Sequence, residues 1–254
     1  MTKRNLPVIL GVLITMAFAS SPVRASEVDS LIEAAAQNSY SFRTYLKEDS
    51  VDVHSQDGMV TLTGNVAEEN HKSLAQNTVE NLPNVKSVDN KIQVTAQAPS
   101  ENSDAWLSVK VKSALLFRRS VSAMATKVYV KDGAVTLEGE AASAAQKELT
   151  GEYVKDVQGV KDVKNNIMIV EKFNPSHETM KEKIDDASIT AQVKMTLLFN
   201  RSTSALKTKV ETHDGVVTLT GTAKNTAEKD LATKLASDIN GVENVVNNMN
   251  VENS

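Results

Sequence analysis

The chain has 254 residues, 28 basic and 32 acidic side chains, a formal charge of −4 and no cysteine. The lack of cysteine excludes disulfides, a lipid-modified cysteine and any cysteine-ligated metal, so packing alone must hold the fold. The acidic balance argues against general nucleic-acid binding, which needs a basic footprint.

The first stretch reads as an export leader. Lys3 and Arg4 precede an apolar run from Leu6 to Ala19, and Val23-Arg24-Ala25 offers residues that a signal peptidase accepts, so cleavage after about Ala25 is expected. The run contains Pro7 and is shorter than the ~20 residues of a membrane span. Losing Lys3, Arg4 and Arg24 leaves 25 bases against 32 acids, a formal −7. The expected product is an exported, soluble protein of the periplasm.

Beyond the leader the same elements come three times. A helix opens each copy, with Leu31, Ile32, Ala35, Ala36 and Tyr40 as the apolar positions of the first. In the second copy the helix runs from about Asp104 to Phe117, with Leu107, Val111, Ala114 and Leu115 inward, and in the third Ile189, Val193 and Leu197 repeat this. Phe42, Phe117 and Phe199 mark the end of the helix in each copy. A short strand follows as Val51-Asp52-Val53, Val128-Tyr129-Val130 and Val210-Glu211-Thr212.

Next comes the strongest pattern in the chain. Asp57-Gly58-Met59-Val60-Thr61-Leu62-Thr63-Gly64 returns from Asp132-Gly133 to Gly139 and again from Asp214-Gly215 to Gly221. Asp-Gly takes positive φ cheaply and suits a two-residue type I′ hairpin turn. The alternation of Val60, Leu62, Val135, Leu137, Val217 and Leu219 with polar residues predicts a half-buried second strand. The closing glycines Gly64, Gly139 and Gly221 are expected where the chain leaves the sheet.

A second helix follows, with Leu74, Thr78, Val79 and Leu82 aligned to Leu149, Tyr153, Val154 and Val157 and to Leu231, Leu235, Ala236 and Ile239. Ser143 with Gln146, and Asn225 with Glu228, have capping-box spacing, while Glu68 is a poorer cap. Pro83, Gly159 and Gly241 turn the chain into a last strand, which carries Asn90, Asn165 and Asn247.

These elements predict an α+β protein of three tandem α-β-β-α-β domains, each a small mixed three-stranded sheet with two helices on one face. The hairpin makes strands one and two antiparallel, and a right-handed crossover makes strands two and three parallel. The expected boundaries are a signal peptide over 1–25, domain 1 over 26–97, a linker over 98–103, domain 2 over 104–173, a linker over 174–182 and domain 3 over 183–254. The second linker is expected to leave domain 3 more freedom. Domains this small are marginal alone, which favours docking between them.

The Asp-Gly-x-Val-Thr-Leu-x-Gly hairpin and the Val-x-x-Val-x-Asn run resemble those of the BON (bacterial OsmY and nodulation) domain family. Within it the chain is similar to osmotically inducible periplasmic proteins of tandem BON domains, which commonly carry two copies. The resemblance implies a non-enzymatic envelope module with a role in osmotic stress and with phospholipid binding as its proposed common activity. It supplies no catalytic residues and no cofactor.

The residues themselves agree that catalysis is not expected. His54, His71, His177 and His213 do not recur between copies and are read as solvated surface. No nucleophile elbow, phosphate loop or metal-ligand spacing appears. Charge separates the domains instead: residues 26–96 carry a net −6, residues 104–173 a net +2 and residues 183–254 a net −1. The basic middle domain also carries the single tryptophan, and Trp106, Val109, Leu116 and Phe117 followed by Arg118 and Arg119 form a second row on its first helix. Such a row suits the headgroup boundary of anionic lipid, and it equally suits packing against a neighbouring domain or the sheet. The leading expectation is an envelope-stress or envelope-maintenance protein that binds phospholipid surfaces weakly through domain 2. The alternative is a protein-interaction or holdase-like module that contacts envelope proteins through apolar helix rows or a strand edge.

Overall fold

The computed structural model describes residues 22–95, 103–121, 123–170, 183–203 and 207–252. Most of the expected leader, and the expected linkers apart from Ser103, lie outside them. Domain 1 runs α1 (Pro22–Asn38), β1 (Ser50–Gln56), β2 (Met59–Val66), α2 (Glu69–Glu80), β3 (Ser87–Asn90) and β4 (Gln93–Val94). Domain 2 runs α3 (Asp104–Leu116), β5 (Thr126–Lys131), β6 (Ala134–Ala141), α4 (Ala144–Lys155), β7 (Asp162–Asn165) and β8 (Met168–Ile169). Domain 3 runs α5 (Asp186–Phe199), β9 (Thr208–His213), β10 (Val216–Ala223), α6 (Thr226–Ser237), β11 (Asn244–Asn247) and β12 (Asn250–Val251).

In each sheet the second strand is central, antiparallel to the first and parallel to the last. The last strand is broken in two, and both pieces pair with the central strand. The break has a cause in the recurring asparagine. Asn165 Oδ1 accepts from Ile167 N at 3.2 Å, while its amide donates to Lys147 O on α4 at 2.7 Å. Asn90 and Asn247 make the same pair of bonds. One side chain therefore closes the kink and ties it to the second helix.

The hairpin turns are left-handed at both central residues, with φ of 54° and 78° at Asp57 and Gly58 and matching values in the other copies. Type I′ geometry leaves their amides pointing away from the ladder, and the first helix supplies the acceptor. Asp29 takes the amides of Asp57 and Gly58 at 2.8 and 2.9 Å, Asp104 those of Asp132 and Gly133, and Asp186 those of Asp214 and Gly215. A carboxylate on the first helix, in the opening turn of α3 and α5 and about two turns into α1, thus locks helix to hairpin in every domain.

In domain 1 Asp29 also accepts from Ser55 Oγ at 2.6 Å. That bond and the one from Gly58 N hold the Asp29 carboxyl below the usual aspartate range, against a smaller opposing effect of burial. A lowered folded-state value means the contribution is present above the unfolded value and disappears as pH falls through the folded one, below about pH 4. Asp29→Asn is expected to lose stability less steeply than the parent between about pH 5 and pH 2 in acid-unfolding titrations followed by circular dichroism. An unchanged acid slope would remove Asp29 from the account.

Gly64, Gly139 and Gly221 depart from their expected place. They lie inside the central strands, opposite the first strand, and not at the exit from the sheet. A Cβ on any of them would sit 1.9 Å from the carbonyl oxygen of Ser50, Ala125 or Lys207. The glycine exists to let that carbonyl approach.

At the expected caps Ser143 Oγ accepts from Gln146 N and Asn225 Oδ1 from Glu228 N, while Gln146 and Glu228 reach back one residue further, accepting from Ala142 N and Lys224 N, and Glu68 makes no side-chain cap. Leu31 and Leu149 are corrections to the expected inner faces. Leu31 is 64% exposed and Leu149 37% exposed, whereas Leu74, which aligns with Leu149, is buried. The difference is tertiary, because α5 packs on α2.

That packing also replaces the expected freedom of domain 3. Domains 1 and 3 share one apolar cluster, which includes Leu74, Val79, Ala191, Met195 and Phe117, while domain 2 keeps a cluster of its own. Helix α5 sits at the centre, against α2, α3, α6 and its own sheet.

Candidate functional site

The row singled out on α3 lies where domain 2 meets its neighbours. Phe117 is buried in the cluster of domains 1 and 3, edge-on to Tyr45 with ring centroids 5.2 Å apart. Val109 is buried, and Leu116 is half-buried against the same cluster. Arg118 is 5% exposed. Its guanidinium lies 3.9 Å from the ring centroid of Tyr153, and it contacts Asp238 Oδ2 of domain 3 at 3.5 Å. Burial pulls Arg118 below its ordinary value, with the Asp238 carboxylate acting the other way. It stays charged, as arginine does in proteins.

Arg119 is exposed but occupied. Its Nη2 donates to the carbonyls of Ser237, Ile239 and Val242 at 2.6, 2.9 and 2.7 Å, and its amide donates to Asp238 O at 3.0 Å. Ser237 ends α6 and the other two carbonyls lie in the turn that follows, near the negative end of the helix dipole, so a cation there is favoured.

The arrangement repeats with the domains exchanged. Arg201 Nη2 donates to Val157 O and Val160 O at the end of α4, and Arg201 N donates to Asp156 O at 2.9 Å. Asn240 N donates to Phe117 O, and Gln158 N donates to Phe199 O. Each partner lies 82 residues from its counterpart. Domains 2 and 3 therefore form an internal pseudo-twofold pair, each reaching from the end of its first helix to cap the second helix of the other. Such self-complementary contact is how isologous dimers are built, here within one chain.

Of the Arg118-Arg119 pair, the second arginine therefore has a counterpart in the third copy. Arg201 follows Phe199 by two residues just as Arg119 follows Phe117, so the signal was present in the alignment. Domain 1 has Thr44 at the aligned place and docks differently. Around a π-type turn at Ser41–Tyr45, Tyr40 N donates to Asp185 Oδ2 at 2.7 Å and Ser41 N to Ser188 Oγ at 3.0 Å.

Trp106 is the remaining member of the row. It is half-buried, belongs to neither apolar cluster, and carries the Lys110 ammonium 5.9 Å above its ring. Ser103 caps the helix by accepting from Trp106 N at 3.1 Å, which fixes where the indole emerges.

The histidines are not uniformly solvated as expected. His71 is half-buried, and its Nδ1 lies 2.6 Å from Asp49, whose other oxygen accepts from Ala67 N. The pair ties the start of α2 to the loop before β1. His54 and His213 are exposed, each beside an acid, and His177 lies outside the described residues. Among the described residues no group of His, Asp and Glu is placed to hold a metal ion, and no helix is long and apolar enough to cross a membrane.

A family model described as BON domain matches residues 28–96, 103–171 and 185–253. The chain is 31% identical over 146 residues to Osmotically-inducible protein Y of Escherichia coli (strain K12), covering 58% of this chain and 71% of that protein. It is 28% identical over 152 residues to an uncharacterized protein in the gshII 5′ region of Anaplasma centrale, covering 59% of this chain and 96% of the relative. The solved structure of CdsD, a structural protein of the type III secretion system of Chlamydia trachomatis, superposes over 90% of this chain and 93% of that chain, with 16% identity and a TM-score of 0.25.

Proposed function

The chain belongs to the BON domain family, as a three-copy tandem protein of the OsmY type, and on that premise we propose an osmotic-stress-related protein of the cell envelope. It acts by binding and without catalysis, holding weakly to anionic phospholipid surfaces through domain 2. The observation that carries this reading is Trp106. An indole that joins no core, with a lysine over its face on the one basic domain, has the amphipathic make-up of a headgroup-boundary anchor.

The contact is smaller than the whole α3 row, because Val109, Phe117 and Arg118 are already buried and Arg119 is engaged with α6. A single tryptophan and one or two lysines amount to a salt-sensitive attachment of a few kcal/mol, with ~1 kcal/mol per cation near the surface. The test is co-sedimentation with vesicles of phosphatidylglycerol and phosphatidylcholine. Trp106→Ala with Lys110→Glu should reduce the bound fraction at low salt by roughly an order of magnitude, leaving the thermal unfolding profile in place. Arg118 is avoided as a test position because its loss would break the contact with domain 3. Failure of the parent protein to sediment with anionic vesicles at low salt would end the lipid reading. The protein-interaction alternative would then be tested by suppression of client aggregation without lipid.

A further inference from the structure

The two joints of the molecule are built to different standards. Between domains 2 and 3, both helix ends are capped by arginine and the main-chain bonds run in both directions. Domain 1 instead meets the others where α2, α3 and α5 cross. On those three helices the side-chain polar atoms of Thr78, Ser113, Gln192 and Thr196 are buried without a hydrogen-bond partner. Gln192 is 0% exposed with both amide atoms unsatisfied. Each such group costs free energy that a fully apolar joint would not lose.

Tyr40 N and Ser41 N tie domain 1 to Asp185 and Ser188 at the start of α5, and two further bonds lie at the margin of the joint. Lys112 reaches Glu68 at 3.4 Å and Lys194 reaches Asn81 Oδ1 at 3.2 Å, close to Glu80. Domain 1 is also the acidic domain, resting on the basic one and on α5. What it covers is apolar: Ala191 and Met195 of α5 are buried off the sheet-facing row of Ile189, Val193 and Leu197, and Leu116 and Phe117 of α3 adjoin the same cluster.

We infer that domain 1 is a releasable acidic cover, and that its departure exposes an apolar α3–α5 face which extends the lipid contact begun by Trp106. This rests on the lipid reading above and adds its regulation. Domains 2 and 3 stay joined during the release, because their arginine caps are independent of domain 1. The acidic cover disfavours approach to an anionic surface until it swings away, so bound vesicles and release favour each other.

The lack of cysteine in the chain makes the test direct. A thiol introduced by Ala191→Cys reports access to the covered face, and one introduced by Ala236→Cys reports the inner face of α6. In the intact protein the first should react with a maleimide reagent on the order of tenfold faster than the second, since a partial opening precedes global unfolding. Lys194→Glu, which sets a carboxylate beside Glu80 and Glu211, should speed the Ala191→Cys thiol further and leave the Ala236→Cys thiol unchanged. Gln192→Leu with Thr196→Val should slow it. Vesicles of phosphatidylglycerol should accelerate labelling of the Ala191→Cys protein, and Lys194→Glu should raise the vesicle-bound fraction although it lowers the positive charge. Equal labelling of the two thiols would overturn the cover. Selective labelling without vesicle binding in either form would overturn the lipid reading and with it this regulation.

Discussion

Gly221→Ala is expected to unfold domain 3 and to loosen the other two with it. The glycine holds φ of 123°, a region that a side chain enters only with strain, and the added Cβ would lie 1.9 Å from Lys207 O. That oxygen belongs to the main chain at the start of β9, so no side-chain rotation relieves the clash. Strain and displacement together cost roughly 3 kcal/mol or more. A domain of about 70 residues has a total stability of only about 4–10 kcal/mol. The loss spreads because α5 shares its core with domain 1 and α6 accepts the arginine of domain 2. Trp106 fluorescence, which reports domain 2, should show an earlier urea midpoint alongside the fall in circular dichroism. A midpoint within experimental error of the parent would contradict the close approach of β9. Gly64 and Gly139 meet Ser50 O and Ala125 O at the same distance, but they lie in domains without the central helix, so their loss should remain more local.

Removing both helix caps is the second large effect. Arg119→Ala strips three carbonyl contacts from the end of α6, and Arg201→Ala strips two longer ones from the end of α4. Charged hydrogen bonds contribute about 1.5–3 kcal/mol, and the exposure of both arginines brings each cap toward the lower end, ~1–2 kcal/mol. Arg119→Ala should be the more damaging. The double variant should part domains 2 and 3, turning one unfolding transition into two and raising the radius of gyration in small-angle scattering. A single sharp transition with unchanged dimensions in the double variant would show that apolar contacts alone hold the pair. Arg119→Lys should restore only part of the loss, because one ammonium cannot reproduce the spread of guanidinium donors.

The pseudo-twofold pair gives the three copies different work although their hairpins are alike. Domains 2 and 3 each carry the arginine two residues beyond the helix-ending phenylalanine, and each accepts the other. Domain 1 has Thr44 at that place and attaches through backbone amides and α2. An odd domain on a closed pair is what allows one part of the molecule to move while the rest holds.

The sequence by itself determined each domain. Period-two strands, Asp-Gly turns, capping boxes and the recurring asparagine are local signals, and local chemistry acts over a few residues wherever the chain goes. The aspartate that holds the turn was also legible, since Asp29, Asp104 and Asp186 stand at aligned positions, but only the fold shows that α1, α3 and α5 bring it to the amides. Only the tertiary structure decided which apolar rows meet solvent. Leu149 and Leu74 align and differ in burial because α5 lies on α2 and not on α4. Phe117 and Arg118 have the composition of a lipid edge, yet they are spent inside the molecule, because a phenylalanine and an arginine are chemically as suited to a domain seam as to a headgroup. Composition tells what a surface can bind, and the arrangement of the domains decides what reaches it first.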